Sequence, residues 1–239
     1  MTDAAASIHG AIGSMRSACV TGTNGKTTTV SMIESIVAAA GEPSARVTTI
    51  GSWVAGEMVT SDVSLDAFAA TVERSVAAGV RTIAVETTSK ALEAGFSWRW
   101  PAAVAVFTNL TRDHLDRHGT PERYLAAKAQ LFMSLRPGAT AVFNAADPAS
   151  ALLAQVIPPA VHGIAYAARP PDPSCAALPP ALAADRVRVE RTGTSVALLP
   201  SALAERLGGA LRLGVLGEVN ADNALAAAAA CDALGYAAD

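Results

Sequence analysis

The stretch from Ala18 to Gly41, ACVTGTNGKTTTVSMIESIVAAAG, constrains the fold more than any other part of the chain. Ala18 to Thr21 is a short apolar run of the kind that forms a strand buried on both faces, whereas Val30, Ile33, Ile36 and Val37 recur at helical spacing and stop at Gly41. Two glycines lie in the turn between them. A strand that passes through a tight turn directly into a helix is the first part of a βαβ unit, and that helix has to cover a sheet face. With 239 residues, 51% hydrophobic and only 16% charged, the chain can bury such a sheet and is excluded from the disordered class.

The same alternation continues downstream. Ser64 is placed to cap a helix that runs through Ala78 and stops near Gly79, and Arg81 to Glu86 follows as a strand ending in a carboxylate. Ala103 to Asn109 reads as another strand. Thr120-Pro121 is an N-cap and N1 pair for a helix containing Arg123 to Leu135, closed by Pro137-Gly138, and Thr140 to Asn144 is strand-like. The fold class predicted is α/β: a mostly parallel sheet flanked by helices. From about Val161 the texture changes to a proline-rich loop, Ala168 to Pro180, then an alternating segment from Arg186 to Arg191 and a turn at Thr192-Gly193-Thr194. This predicts a small antiparallel appendage on one domain spanning residues 1–239. Asn220 to Leu234 is an Ala-rich final helix.

The glycine turn has a chemical reading. Its backbone N–H groups can turn inward around phosphate oxygens at the positive end of the following helix, Lys26 adds a point charge, and the Thr27 hydroxyl can hold Mg²⁺. The general pattern G-x-x-x-x-G-K-[ST] wants glycine at position 20, where this chain has Val20. Three features fall where strands end: this turn, Glu86, and the block Asn109-Leu110-Thr111-Arg112-Asp113-His114-Leu115-Asp116. In open parallel sheets ligands sit beyond the carboxyl ends of the strands. A net charge of −3 and a pI near 5.8 give no support for a nucleic-acid partner or an anionic membrane surface. The N-terminus has no signal-peptide pattern, and the longest apolar run, Ala224 to Cys231, is too short to span a bilayer. Cys19, Cys175 and Cys231 are odd in number and widely spaced, which predicts small apolar fillers in a reducing cytoplasm.

TGTNGKTTT, VETTSKAL, VFTNLTRDHLDRHGTPERYLAAKAQLF and LGEVNADNALAA, in this order, resemble the consecutive motifs of the Mur ligases, in particular the branch that adds the third residue to the UDP-N-acetylmuramoyl peptide. The resemblance runs from about Ser17 to Leu234. It implies the central, P-loop ATP-binding domain of an ATP-dependent, ADP-forming amide ligase that activates a carboxylate as an acyl phosphate before an amine attacks. By that resemblance Gly22, Thr23, Asn24, Gly25, Lys26, Thr27 and Thr28 cradle the phosphates of ATP, Thr27 and Glu86 hold Mg²⁺, and His114 binds a second Mg²⁺. It makes Lys128 a carbamylated, metal-supporting group that acts in catalysis with Lys26 and His114. Asn220 and Asn223 match the pair near the adenine, and Thr60, Ser61, Thr88 and Ser89 fall on the acceptor side. Carbamylation needs a neutral amine, which burial or nearby cations favour. On the residues alone, Lys128 reads as a surface lysine of an amphipathic helix.

In the family this domain sits between a UDP-substrate domain and a mobile third domain, and both are expected to be missing from this chain. The partners implied are a small-molecule carboxylate, an amine or amino acid, and a protein that supplies a missing domain; the alternatives are a truncated tripeptide ligase or an ATP-binding module that has lost ligation. The acceptor side departs from the family pattern. Where that branch reads EVSSHAL and, after a spacer, an arginine, this chain reads Glu86-Thr87-Thr88-Ser89-Lys90-Ala91-Leu92, with Phe96 at the place of the arginine. The family's Thr-Thr-Pro appears as Thr60-Ser61-Asp62. Loss of a bidentate carboxylate clamp predicts an altered acceptor. Trp98, Arg99 and Trp100 follow as either a substrate wall or packing residues.

Overall fold

A computed structural model describes residues 8, 10, 11, 13–111 and 120–236. Its centre is β1 (Arg16–Thr21), buried from Ser17 to Thr21 as the apolar run requires. The chain then passes through the glycine turn into α1 (Lys26–Ala39), returns in β2 (Ser44–Thr48), and makes a hairpin of β3 (Gly51–Val54) and β4 (Glu57–Thr60). Next come α2 (Leu65–Ala77), β5 (Thr82–Glu86), the short α3 (Ser89–Glu93) and α4 (Phe96–Arg99), β6 (Val104–Phe107), α5 (Pro121–Met133), β7 (Thr140–Asn144), α6 (Ala149–Ala154) and β8 (His162–Ala167). The last third holds β9 (Pro180–Glu190), β10 (Gly193–Leu198), α7 (Ala202–Arg206), β11 (Ala210–Leu213) and α8 (Val219–Ala233).

The strands form one sheet in the order β11-β10-β9-β8-β7-β6-β1-β5-β2-β3-β4. From β2 through β8 all pairs are parallel, with β1 between β5 and β6 in the registers Val20↔Glu86 and Thr21↔Phe107. The chain leaves β1 toward β2 on one side and later crosses back over it from β5 to β6. The carboxyl ends of β1, β5 and β6 therefore open on one crevice at the topological switch point, where open α/β sheets bind ligands.

Each face has its own core. On one, Val30, Ile33 and Val37 of α1 pack with Leu225 and the alanines 226–230 of α8; the small side chains let two helices lie close together over the sheet. On the other, Phe68 and Val72 of α2 and Leu131 and Phe132 of α5 pack with Phe107 and Phe143. Capping follows the sequence. The Ser64 side chain accepts from the Ala67 N–H, and the Thr120 side chain accepts from the Arg123 N–H with Pro121 following it.

Some boundaries differ from the sequence reading. β6 stops at Phe107, two residues short, because Thr108 and Asn109 turn to bond the loop after β1. The antiparallel appendage is present on the same domain, and it is continuous with the main sheet. β9 begins at Pro180, pairs in parallel with β8 at Ala165↔Pro180, and continues as the antiparallel partner of β10, so the ribbon extends the main sheet. Its turn lies one residue earlier than expected, since Gly193 and Thr194 already belong to β10. Trp98 and Trp100 divide between the two readings. Trp100 is buried and, like Phe96, meets the Phe68 ring edge-on, while Trp98 is 60% exposed. All three cysteines are free and buried, and burial pushes the Cys19 thiol up to about 11 and that of Cys231 to about 12; they are fillers, as expected.

Candidate functional site

Two glycines shape the turn after β1. Gly25 is the N-cap of α1 at φ +83, and a Cβ there would lie 2.2 Å from Asn223 Oδ1; at Gly22, φ +151, a Cβ would lie 1.8 Å from Thr108 Oγ1. Only glycine fits either position. The β6–α5 connection holds the loop from outside. The Thr23 N–H donates to the Asn109 carbonyl (2.8 Å), the Asn24 N–H to Asn109 Oδ1 (2.9 Å), and Thr108 Oγ1 to the Asn24 carbonyl (2.7 Å). Of the predicted phosphate-binding amides, those of Thr23 and Asn24 are thus already engaged. The N–H groups of Gly25, Thr27 and Thr28 make no hydrogen bond among the described residues, as expected of donors in the first turn of a helix. They put the positive end of α1 at the crevice, the arrangement that favours an anion.

Charged and hydroxyl groups complete this end. Thr27 Oγ1 donates to Glu86 Oε2 at 2.7 Å, and the same carboxylate oxygen accepts from the N–H and hydroxyl of Thr49 at 3.2 and 3.3 Å. Lys26 Nζ donates to the Thr23 carbonyl at 2.8 Å and lies 3.9 Å from Glu86 Oε1. One hydroxyl and one carboxylate in contact, beside a row of helix amides, fit a Mg²⁺ that keeps waters and takes its remaining ligands from phosphate. Among the described residues no three His, Cys, Asp or Glu side chains gather as a self-sufficient metal cluster.

Lys128 is not the surface lysine of the amphipathic reading. It is 1% exposed, donates to the Gly22 carbonyl at 2.7 Å and lies over the Tyr124 ring with Nζ 4.0 Å from the centroid. Asn220 and Asn223 also come to the loop. Asn223 Nδ2 donates to Asn220 Oδ1 (3.1 Å), its Oδ1 accepts from Thr29 Oγ1 (3.4 Å), and Asn220 Nδ2 donates to the Leu216 carbonyl (2.9 Å). His114 lies outside the described residues.

A cleft of about 400 Å³ opens on the other side of Glu86, lined among others by Thr49, Asp62, Phe68, Thr88, Lys90 and Arg99. Of the four residues expected on the acceptor side, Thr88 lines it and also caps α3, accepting from the Ala91 N–H. Thr60 and Ser61 lie next to it at the end of β4, and Thr60 Oγ1 accepts from the Asp62 N–H; neither they nor Ser89 line the cleft itself.

Two polar residues at the site escaped the sequence reading. Thr49 binds Glu86 as described. Asp147, just past the end of β7, accepts from the Leu110 N–H (2.7 Å) and the Ala149 N–H (2.9 Å), fixing the loop that holds Asn109. Burial raises its carboxyl above the usual aspartate range. A carboxylate shortly beyond a strand end was the signal that singled out Glu86, and it was available for Asp147 too. Burial likewise raises Asp222, which pairs with Arg169 at 3.3 Å and leaves its Oδ1 without a hydrogen-bond partner.

Comparison with known proteins agrees with this geometry. The Mur ligase middle domain model matches residues 20–231. A UDP-N-acetylmuramoyl-L-alanyl-D-glutamate–2,6-diaminopimelate ligase of Halalkalibacterium halodurans is 37% identical over 224 residues, 88% of this chain and 42% of the relative. One from Xanthomonas campestris pv. campestris is 36% identical over 235 residues, 96% of this chain and 45% of the relative. A solved structure of a ligase of the same name superposes with a TM-score of 0.78 at 26% identity, covering 93% of this chain and 44% of that one. Folylpolyglutamate synthase of Mycobacterium tuberculosis, complexed with ADP, shares the fold at TM-score 0.72 and 19% identity, covering 97% of this chain and 57% of that one. The chain spans less than half the length of the curated relatives it matches.

Proposed function

The chain belongs to the Mur ligase family, whose middle domain it carries, and from that premise we propose that it binds ATP with Mg²⁺ and passes the terminal phosphoryl group to a carboxylate, the activating half of an ADP-forming carboxylate–amine ligation. One observation carries this reading: at the N-terminus of α1, Gly25, Lys26 and Thr27 stand with Glu86 in a single crevice, Thr27 and Glu86 being 2.7 Å apart. A carboxylate will not exchange oxide for an amine, and ATP supplies the phosphate leaving group that makes the exchange feasible.

The residues divide the remaining work. The α1 amides and Lys26 hold the phosphates and offset the charge that gathers as the phosphoryl group moves, with positioning as the main contribution. Thr27 and Glu86 hold Mg²⁺, and Thr49 orients the Glu86 carboxylate from the far side. Asn220 and Asn223 flank the base. We propose that Lys128 is carbamylated: its burial favours the neutral amine the reaction needs, and the carbamate nitrogen keeps one N–H for the Gly22 carbonyl. A second Mg²⁺ at His114 rests on the motif alone.

The acceptor acid enters the cleft beside Glu86, and the amine arrives from the open side of the crevice. Ile50, Val63 and Trp98 are exposed around this region, which supports a further protein surface, from this chain or a partner, that covers it during the reaction. The substrates are of cytoplasmic type and the site of action proposed is the cytoplasm; among the described residues no helix is long and apolar enough to cross a membrane. Calorimetry tests the central claim. ATP binding is expected to require Mg²⁺ and to weaken by more than about 1 kcal/mol in Lys26→Ala, since hydrogen bonds to charged groups contribute about 1.5 to 3 kcal/mol. Equal affinity of both proteins would remove the phosphate-cradle reading.

A further inference from the structure

We infer that Asn144 and Asp147, at the end of β7, are positioning residues that hold the glycine loop in its ligand-ready shape through residues 108–111, without bonding the loop themselves. The inference rests on the reading of that loop as the phosphate cradle. The local sequence sets up the geometry. Asparagine and aspartate past a strand bond their own backbone two residues on and so shape a turn. Both do so here: Asn144 Oδ1 accepts from the Ala146 N–H at 3.0 Å, and Asp147 Oδ1 accepts from the Ala149 N–H at 2.9 Å. One polar atom of each side chain is left over. Asn144 Nδ2 donates to the Thr108 carbonyl at 2.7 Å, and Asp147 Oδ2 accepts from the Leu110 N–H at 2.7 Å. Both residues are buried, so water is no ready substitute for either bond. The turn is itself anchored: the Ala145 N–H donates to the Tyr166 carbonyl of β8, the Asp172 N–H donates to the Ala145 carbonyl, and Ser150 Oγ donates to the Asn144 carbonyl at 2.5 Å.

Residues 108–111 carry this anchorage to the loop. The Thr108 carbonyl and the Leu110 N–H turn toward the β7 end, whereas the Asn109 carbonyl and the Thr111 N–H turn toward the glycine loop, the alternation of an extended segment. On the loop side the Thr23 N–H donates to the Asn109 carbonyl, the Thr111 N–H donates to Thr23 Oγ1 at 3.0 Å, and Asn24 is held by the Asn109 side chain and the Thr108 hydroxyl. Among the described residues, the bonds from Asn144 and Asp147 are the hydrogen bonds that reach 108–111 from outside β1 and the glycine loop. Without them two irregular segments order only each other, and the entropy of fixing both opposes the bound shape. What the two side chains supply is a rigid reference, one strand away from the phosphates.

The test follows binding of N-methylanthraniloyl ADP with Mg²⁺ by stopped-flow fluorescence. Asp147→Asn keeps the size of the side chain and removes its charge and one acceptor, while Asn144→Asp sets an acceptor against the Thr108 carbonyl. In each, the ready shape is expected to fall to about a tenth of the free protein, so association and affinity drop roughly ten-fold while the dissociation rate and the binding stoichiometry stay unchanged. Ser150→Ala cuts a bond of the same turn without touching 108–111; it is expected to lower the melting temperature and leave association at the wild-type rate. A role confined to stability would reduce the fraction of binding molecules and leave the rate of each one alone. Hydrogen exchange without nucleotide reads the brace independently: the Thr23 and Asn24 amides are expected to exchange about ten-fold faster in Asp147→Asn and Asn144→Asp, and at the wild-type rate in Ser150→Ala. Wild-type association in both loop variants, an affinity loss that lies in dissociation, or unchanged exchange at Thr23 and Asn24 overturns the inference. A wild type that binds no MgADP would instead remove the phosphate-cradle reading, and hydrogen exchange would still decide whether Asn144 and Asp147 hold the loop.

Discussion

The contact between Gly25 and Asn223 joins the glycine loop, the proposed phosphate cradle, to α8, and it can be measured. Gly25→Ala forces an alanine to φ +83, which costs about 1 to 2 kcal/mol for an L-residue in the left-handed region. Its Cβ would also lie 2.2 Å from Asn223 Oδ1 and 3.2 Å from Cγ, so the Asn223 side chain has to leave. That side chain is 6% exposed and gives up its bonds to Thr29 and Asn220 at about 1 kcal/mol each, so the collision adds roughly 2 kcal/mol. Gly25→Ala is therefore expected to lose about 3 to 4 kcal/mol of stability. In an Asn223→Ala background the atoms it strikes are gone, and the same change is expected to cost only the backbone strain. Urea unfolding without nucleotide, run as a double-mutant cycle, reads the difference as a coupling of roughly 2 kcal/mol between the two sites. Additivity to within about 0.5 kcal/mol would show that the two helices do not meet at this point.

Three further expectations concern charge. Thr27→Val and Glu86→Gln each remove one of the two groups proposed for Mg²⁺, so nucleotide affinity in either variant is expected to lose most of its dependence on Mg²⁺; an unchanged dependence in calorimetry places the ion elsewhere. Lys128 is expected to show a carbamate resonance in ¹³C NMR under labelled bicarbonate, absent in Lys128→Arg, and a spectrum identical for both proteins rejects the modification. Burial raises the Asp222 carboxyl, so the ionised form is disfavoured in the folded state and stability is lost as pH rises from the ordinary aspartate range through the raised value. Asp222→Asn is accordingly expected to raise the melting temperature at pH 7, with a gain that shrinks as pH falls below about 4. Arg169, the partner it loses, is 64% exposed and holds little of the balance; a variant equally stable or less stable at pH 7 contradicts the sign.

The parallel core was legible because its punctuation is local: Ser64, Thr120-Pro121 and Pro137-Gly138 each mark a boundary within a few residues of themselves. The β3–β4 hairpin was not. It turns on Ala55-Gly56, both at positive φ, where the usual signal is Asn-Gly or Asp-Gly. The continuity of β9 with the main sheet depends on its pairing with β8, a partner chosen by tertiary packing of Leu182 and Tyr166 and invisible to periodicity. At the site, Glu86 stood out as a carboxylate closing an apolar strand, whereas Thr49 matters only because β2 lies beside β5. Lys128 is the instructive case. Tyr124, Lys128, Leu131 and Phe132 recur at the i, i+4, i+7 and i+8 positions of one buried stripe, so its burial was written in the helix pattern and overlooked because lysine is rarely inside.

The bonds from Thr108 and Asn109 to the glycine loop have a kinetic meaning. Because Thr23 and Asn24 are already held by protein atoms, the loop takes its ligand-ready shape when the chain folds, and the entropy of ordering it is spent before any nucleotide arrives. Under the proposed function, an incoming triphosphate would meet a finished mould. Its association rate is then expected to be governed by diffusion and by the shedding of water from the metal, with no slow loop-closing phase at the phosphates, and differences among nucleotides are expected in how fast they leave.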